Sequence, residues 1–133
     1  DPKTKTCSEE MLDDRPMEFS RVHPDFDGKQ HRFGYLLNDG RLNNYFKHDF
    51  EKSETIAHDF GESCQAAEPV FIPKKNAKSE DDGFVVGFVY EKTTDSSDFV
   101  ILDAQNFSDA PLARVTLPQR VPFGFHGSWI NLD

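Results

Sequence analysis

Eight consecutive residues, Gly83-Phe84-Val85-Val86-Gly87-Phe88-Val89-Tyr90, carry no charge. The run is too short for a buried helix. It is rich in the β-branched and aromatic side chains that pack on a pleated surface, so it predicts a strand interior to a sheet, buried on both faces. Turn-forming sequence brackets it: Lys74 to Asp82 reads as a charged surface loop, with Asp81-Asp82-Gly83 closing it, and Thr93 to Ser97 reads as a turn. Phe99 to Asp103 then pairs back, and Leu112 to Leu117 is the last clear strand. Upstream, His31 to Leu37 predicts a strand, Asn38-Asp39-Gly40 a hairpin-type turn, and Leu42 to Phe50 the return. Phe50 to Thr55 reads as a tight connection and Thr55 to Phe60 as the next strand. Helix signals are few; Ser8 to Asp13 alone could make one turn. The expected class is all-β, built from antiparallel meander strands.

Thirteen phenylalanines in 133 residues fit a folded chain, since disordered segments lack aromatics. A net charge of −9 argues against nucleic acid as a partner, because the phosphate backbone would repel it, and against electrostatic docking on an anionic membrane. No apolar stretch approaches the ~18 residues a transmembrane helix needs, and no secretory signal is seen in these residues. Cys7 and Cys64 form no CxxC pair. They read as two buried free thiols and point to a reducing, cytoplasmic setting.

The candidate chemistry lies near the C-terminus, in Val121-Pro122-Phe123-Gly124-Phe125-His126-Gly127. Gly124 and Gly127 would let the backbone bend sharply or approach another group closely. Phe123 and Phe125 would dry the surroundings of His126, which suits a metal ligand or a catalytic base. A lone histidine among aromatics is, however, more often a satisfied structural residue. His23, His31, His48 and His58 show no HxH, HxxxH or Cys/His cluster and read as surface or structural. Asp13 and Asp14 form a charge pair that Arg15 partly neutralises. No Gly-rich phosphate loop, nucleophile elbow or Cys-His signature is present.

Three stretches, in order, change the weight of His126. Leu12-Asp13-Asp14-Arg15-Pro16-Met17-Glu18-Phe19 is the first. The second is His58-Asp59-Phe60-Gly61 with Ala67-Glu68-Pro69-Val70-Phe71-Ile72-Pro73. The third runs from Phe99 through Pro111-Leu112-Ala113-Arg114-Val115 to His126-Gly127. Together they resemble the C-terminal end of the carotenoid cleavage oxygenases, a family that includes apocarotenoid and lignostilbene dioxygenases and the retinoid isomerase. The likeness runs from about Cys7 to Trp129 and leans to the lignostilbene and apocarotenoid branch.

The resemblance implies a seven-bladed β-propeller. A blade takes about 40–50 residues, so residues 1–133 are expected to be a C-terminal portion of a larger enzyme. That Asp1 is not Met, and that Asp1 to Cys7 read like the middle of a blade, is in keeping with this. It implies a ferrous iron, Fe(II), held by four histidines, with dioxygen and an apolar conjugated substrate (carotenoid, apocarotenoid or stilbene) as reaction partners. His126 matches the last ligand. Glu18 and Glu68 match glutamates that accept a hydrogen bond from a ligand's free ring nitrogen and orient it. Glu68 is expected to serve His126, and Glu18 a histidine outside this chain. Phe123 is a candidate wall of the substrate tunnel. The chain alone, with one of four ligands, is expected to hold no iron and to be inactive without the rest of the propeller. The competing expectation is a non-catalytic β-rich remnant; within the family, it is an isomerase using iron as a Lewis acid.

Overall fold

The computed structural model describes residues 3–131. The four remaining residues of the 1–133 span, Asp1 and Pro2 of the Asp1-to-Cys7 reading among them, lie outside it. Nine strands follow in order: β1 (Met17–Arg21), β2 (Phe33–Asn38), β3 (Asn44–Asp49), β4 (Glu54–Asp59), β5 (Cys64–Ala66), β6 (Val70–Pro73), β7 (Gly83–Glu91), β8 (Ser96–Asp103) and β9 (Ala113–Thr116). A single 3-10 turn spans Pro24–Phe26, and no α-helix occurs among the described residues. Among the described residues no helix is long and apolar enough to cross a membrane. The expected turn at Ser8 to Asp13 does not form. A segment this short cannot nucleate a helix without a packed face, and Met11 and Leu12 are exposed.

Every pairing is antiparallel. β1-β2-β3-β4 make one sheet; β5 and β6 both pair with β7, which pairs with β8 and β8 with β9, in the second. The expected all-β meander is thus present. β7 lies inside its sheet, as its composition predicted, but its outer face is buried only in part: Val86 is buried there and Phe84 half-buried. Val85 and Val89 point into the core, whereas Phe88 on the opposite face is exposed, since no described element fully covers that side.

The two sheets share one core. Phe33, Tyr35 and Leu37 of β2, Val85 and Val89 of β7, and Val100 and Leu102 of β8 alternate inward with the strand period. Tyr35 stacks on Phe71 with ring centroids 5.0 Å apart. Tyr45 reaches from β3 across to the second sheet, where its hydroxyl donates to the Ala67 carbonyl at 2.8 Å. Gly87 of β7 lies directly under that ring, and a side chain there would collide with it. Cys64 is buried as expected, but Cys7 is exposed, because residues around it pack on neither sheet.

The β3–β4 turn is fixed by Asp49. Its carboxylate accepts from Arg32 Nε at 3.0 Å and Nη2 at 2.7 Å, and from the backbone N–H groups of Glu51 and Lys52. The Arg32 guanidinium, opposed by partial burial and aided by the two amides, lowers its pKa from 3.8 to about 2. A depressed carboxylate pKa contributes stability that is full above the unfolded value and lost as pH falls through the folded one. Asp49→Asn is therefore expected to flatten the pH dependence of the urea midpoint between pH 3.8 and about 2. An unchanged slope would show that the pair contributes nothing, as exposed pairs often do.

Candidate functional site

The segment after β9, from Leu117 to Asn131, has no regular secondary structure. Pro118 and Pro122 remove two backbone donors, so it cannot add a full strand to the sheet. It is tied down at separate points instead. The Leu117 N–H donates to the Ser97 carbonyl at 2.9 Å, and the Val121 N–H donates to the Ser97 hydroxyl at 3.0 Å. Arg120 lays its guanidinium over Tyr90 (4.6 Å) and Phe123 (4.8 Å). Beyond these anchors the chain reaches His126.

Glu68, in the connection between β5 and β6, is the centre of the site. Its side chain is only 4% exposed. Arg21 Nε and Nη2 donate to the two carboxylate oxygens at 2.8 and 2.9 Å. The Gly127 N–H donates to Oε2 at 2.7 Å, and His126 Nδ1 lies 3.2 Å from Oε1. Burial alone would raise the pKa of Glu68. The hydrogen bonds from Arg21, Gly127 and His126 outweigh that and hold it below its ordinary value. An ionised carboxylate only accepts, so a neutral His126 bonded to it carries its ring proton on Nδ1 and has the Nε2 lone pair available.

Arg21 reaches Glu68 because β1 is irregular. Glu18 pairs with Leu37 and Arg21 with Tyr35, so two residues, Phe19 and Ser20, stand opposite one. In a regular strand residues three apart face opposite sides; the bulge turns Glu18 and Arg21 to the same side. Phe19 takes a φ of 54°, the left-handed region that non-glycine residues rarely enter. Its ring meets the His126 imidazole edge-on at 5.5 Å.

The expectation of a dry imidazole is corrected. The His126 side chain is 72% exposed, with Phe123 and Phe125 also exposed, because no described element lies over this face. The expected close backbone approach is present at Gly127, whose N–H donates to Glu68 Oε2 and whose carbonyl accepts from Arg21 Nη2, both at 2.7 Å, but neither Gly124 nor Gly127 is required to be glycine. Neither has a positive φ, and the nearest atom to an added side chain would be Val70 Cγ2, 4.0 Å from Gly127. Glu18 is exposed and borders an open cleft together with Phe19, Arg21, Glu68, Phe125 and His126. It makes no hydrogen bond to another side chain among the described residues.

An apolar cleft of ≈ 380 Å³ runs from His126 and Glu68 between the outer face of β7 and β8 and the C-terminal segment. Val86, Gly87, Phe88, Phe99, Pro122, Phe125 and Trp129 line it. Phe123 is not in this wall; it packs edge-on against Tyr90 at 5.7 Å. Among the described residues no three His, Cys, Asp or Glu side chains gather as a metal site. His23, His48 and His58 are buried and engaged elsewhere: His23 Nδ1 accepts from the Asp25 N–H, His48 meets Thr55, and His58 meets the Phe107 carbonyl. Sequence reasoning missed Arg21 and Trp129, and it read Phe125 as drying His126 rather than as part of the cleft wall. The signal for Arg21 was a cation three residues beyond Glu18, two past the end of the Leu12-to-Phe19 motif, readable only if the bulge is foreseen.

The site's residues fit a borderline metal ion in part. An Nδ1-protonated imidazole backed by a carboxylate is a competent nitrogen ligand, and further ligands would have to come from outside the described residues.

Over residues 1–131 the chain matches the family described as retinal pigment epithelial membrane protein. It is 34% identical to the chromoplastic zeaxanthin 7,8(7',8')-cleavage dioxygenase of Crocus sativus, over 97% of this chain and 38% of that protein. It is 30% identical to the apocarotenoid-15,15'-oxygenase of Synechocystis sp., over 97% of this chain and 28% of that protein. A solved structure of cobalt-substituted Synechocystis apocarotenoid oxygenase superposes with a TM-score of 0.94 at 30% identity, covering 99% of this chain and 29% of that one. The chain thus spans less than two-fifths of the length of these relatives.

Proposed function

Since the chain belongs to the carotenoid cleavage oxygenase family, that of the retinal pigment epithelial membrane protein, we propose that the protein carrying it is a non-haem iron dioxygenase. Its reaction would cleave a conjugated carbon–carbon double bond of a carotenoid or apocarotenoid. One dioxygen is consumed and both its atoms leave in two carbonyl products, so the step needs no further reductant. The two sheets would be neighbouring blades of a β-propeller, and this chain its C-terminal portion.

The observation that carries the reading is the Glu68–His126 contact, which leaves Nε2 free to bind a metal. Bound ferrous iron would supply the activation of dioxygen. His126 would hold it through Nε2, alongside imidazoles from outside the described residues. Glu68 keeps the proton on Nδ1 and the ring in one orientation. Glu18, on the same side of β1, would do the same for a histidine elsewhere in the protein. The cleft walled by Phe88, Phe99, Phe125 and Trp129 offers the apolar surface that a polyene needs.

The test is to supply the full-length protein with ferrous iron, an apocarotenoid and isotopically labelled dioxygen. Two aldehyde or ketone fragments carrying label are expected. Iron-loaded protein that isomerises the substrate without cleaving it would replace this reading. The 133-residue chain by itself is expected to purify without iron, because one imidazole cannot compete with water and buffer.

Glu68→Gln is expected to lower kcat/KM and iron affinity by about 10–100-fold. The amide keeps the shape and can still accept from Nδ1–H, but it loses the charge that Arg21 grips. Equal kcat/KM in the two proteins would remove Glu68 from the site.

A further inference from the structure

We infer that Arg21 is a positioning residue of this site, fixing the plane of the Glu68 carboxylate and the Gly127 backbone together and so setting the direction in which His126 presents Nε2. The inference rests on the reading of His126 as an iron ligand.

Three hydrogen bonds carry it. Two come from one edge of the guanidinium to the two oxygens of Glu68. The third runs from Nη2 to the Gly127 carbonyl at 2.7 Å. Gly127 is the residue after His126, and its own N–H returns to Glu68 Oε2. Glu68 and Arg21 therefore hold both polar groups of Gly127, while Glu68 also holds the imidazole. Remove Arg21 and the carboxylate keeps the Gly127 N–H but loses the fork that fixes its rotation, so its bond to His126 Nδ1 is no longer held in every orientation. The ring then follows the carboxylate.

The geometry needs an arginine. A planar fork binds both carboxylate oxygens and still has the second Nη2 proton for a carbonyl, whereas a lysine ammonium is a compact point charge with no preferred plane. The local backbone is also arranged for this contact. The β1 bulge and the left-handed Phe19 bring Arg21 to the face of Glu18, toward the second sheet, where a regular strand would aim it away. Arg21 is half exposed and Glu68 buried. An ion pair of this kind could be purely structural, so the test must read ring orientation as well as stability.

The experiment uses the full-length protein with Arg21→Lys, Arg21→Met and, in parallel, His126→Ala. Iron affinity is measured by chelator competition, and the His126 tautomer by NMR of isotope-labelled histidine in metal-free protein. Wild type is expected to show Nδ1–H alone. Both Arg21 variants are expected to show mixed tautomers and iron affinity lower by about tenfold. Arg21→Lys keeps the charge and should melt close to wild type in metal-free form, which separates positioning from general stability. A single Nδ1–H tautomer and unchanged iron affinity in both Arg21 variants would overturn the inference, provided His126→Ala loses iron. If His126→Ala binds iron as wild type does, the ligand reading itself has failed.

Discussion

His126→Ala in the full-length protein is expected to eliminate iron binding and double-bond cleavage while leaving the fold intact. Alanine removes the nitrogen that would bind the metal, and nothing nearby can replace it: the closest acidic group, Glu68, is already saturated by Arg21 and Gly127. The side chain is largely solvent-exposed, so its removal opens no cavity. Surface substitutions of this kind usually change stability by no more than about 0.5 kcal/mol. Glu68 loses one of its four hydrogen bonds but remains paired with a guanidinium, so no buried charge is stranded. The checks are iron content after dialysis, turnover of an apocarotenoid, and thermal melting of the metal-free proteins. Iron retained at wild-type stoichiometry would refute the role of His126. Loss of iron together with a collapse in melting temperature would show that the residue is structural.

The largest effect on stability is expected at Gly87. A Cβ at this position would overlap the Tyr45 hydroxyl, sit 3.0 Å from Tyr45 Cζ and come within 3.3 Å of the Glu68 carbonyl. Tyr45 is fully buried between the sheets and cannot swing into solvent. Gly87→Ala would therefore force the ring aside and break its bond to the Ala67 carbonyl. Overpacking costs about 1–3 kcal/mol, and stranding a buried polar group costs about 1–3 kcal/mol more. A loss of about 3 kcal/mol or more in urea unfolding is expected, with Gly87→Val worse. Tyr45→Phe combined with Gly87→Ala should cost less than the sum of the two, because the hydroxyl is the atom in the way. Strict additivity, or a Gly87→Ala protein as stable as wild type, would disprove this packing.

Much of this fold was legible in the chain. The strands around Phe33–Asn38, Asn44–Asp49, Glu54–Asp59, Gly83–Glu91 and Ser96–Asp103 follow from alternation and turn residues, and the structure places them within a few residues of expectation. β1, β5 and β6 were less visible. β5 is three residues long, and β1 is broken by a bulge that scrambles its period. The depth of burial of β7 was overread because an apolar run says which residues avoid water but not whether a second layer is present. At the site, His126 and Glu68 were found through motif likeness, and their 3.2 Å contact is a geometric fact that spacing could not have supplied. Arg21 was invisible because its side depends on the bulge. Phe123 was named as the tunnel wall instead of Phe125 and Trp129, since neighbouring aromatics in an irregular segment have no period from which to read a direction.

The clamp around Glu68 joins partners that are 47, 59 and 106 residues apart in sequence. Its members come from the first sheet, from a connection in the second, and from the segment laid down after both. Closing loops of that length is slow relative to forming a hairpin. The meander strands can therefore assemble locally while the imidazole still lacks its acceptor and its orientation. Only when the two sheets have met and the tail has settled does the nitrogen face a fixed direction. Under the proposed role of His126, a half-folded chain would present no oriented imidazole, so a metal ion would find its ligand fixed only after the two sheets and the tail have met.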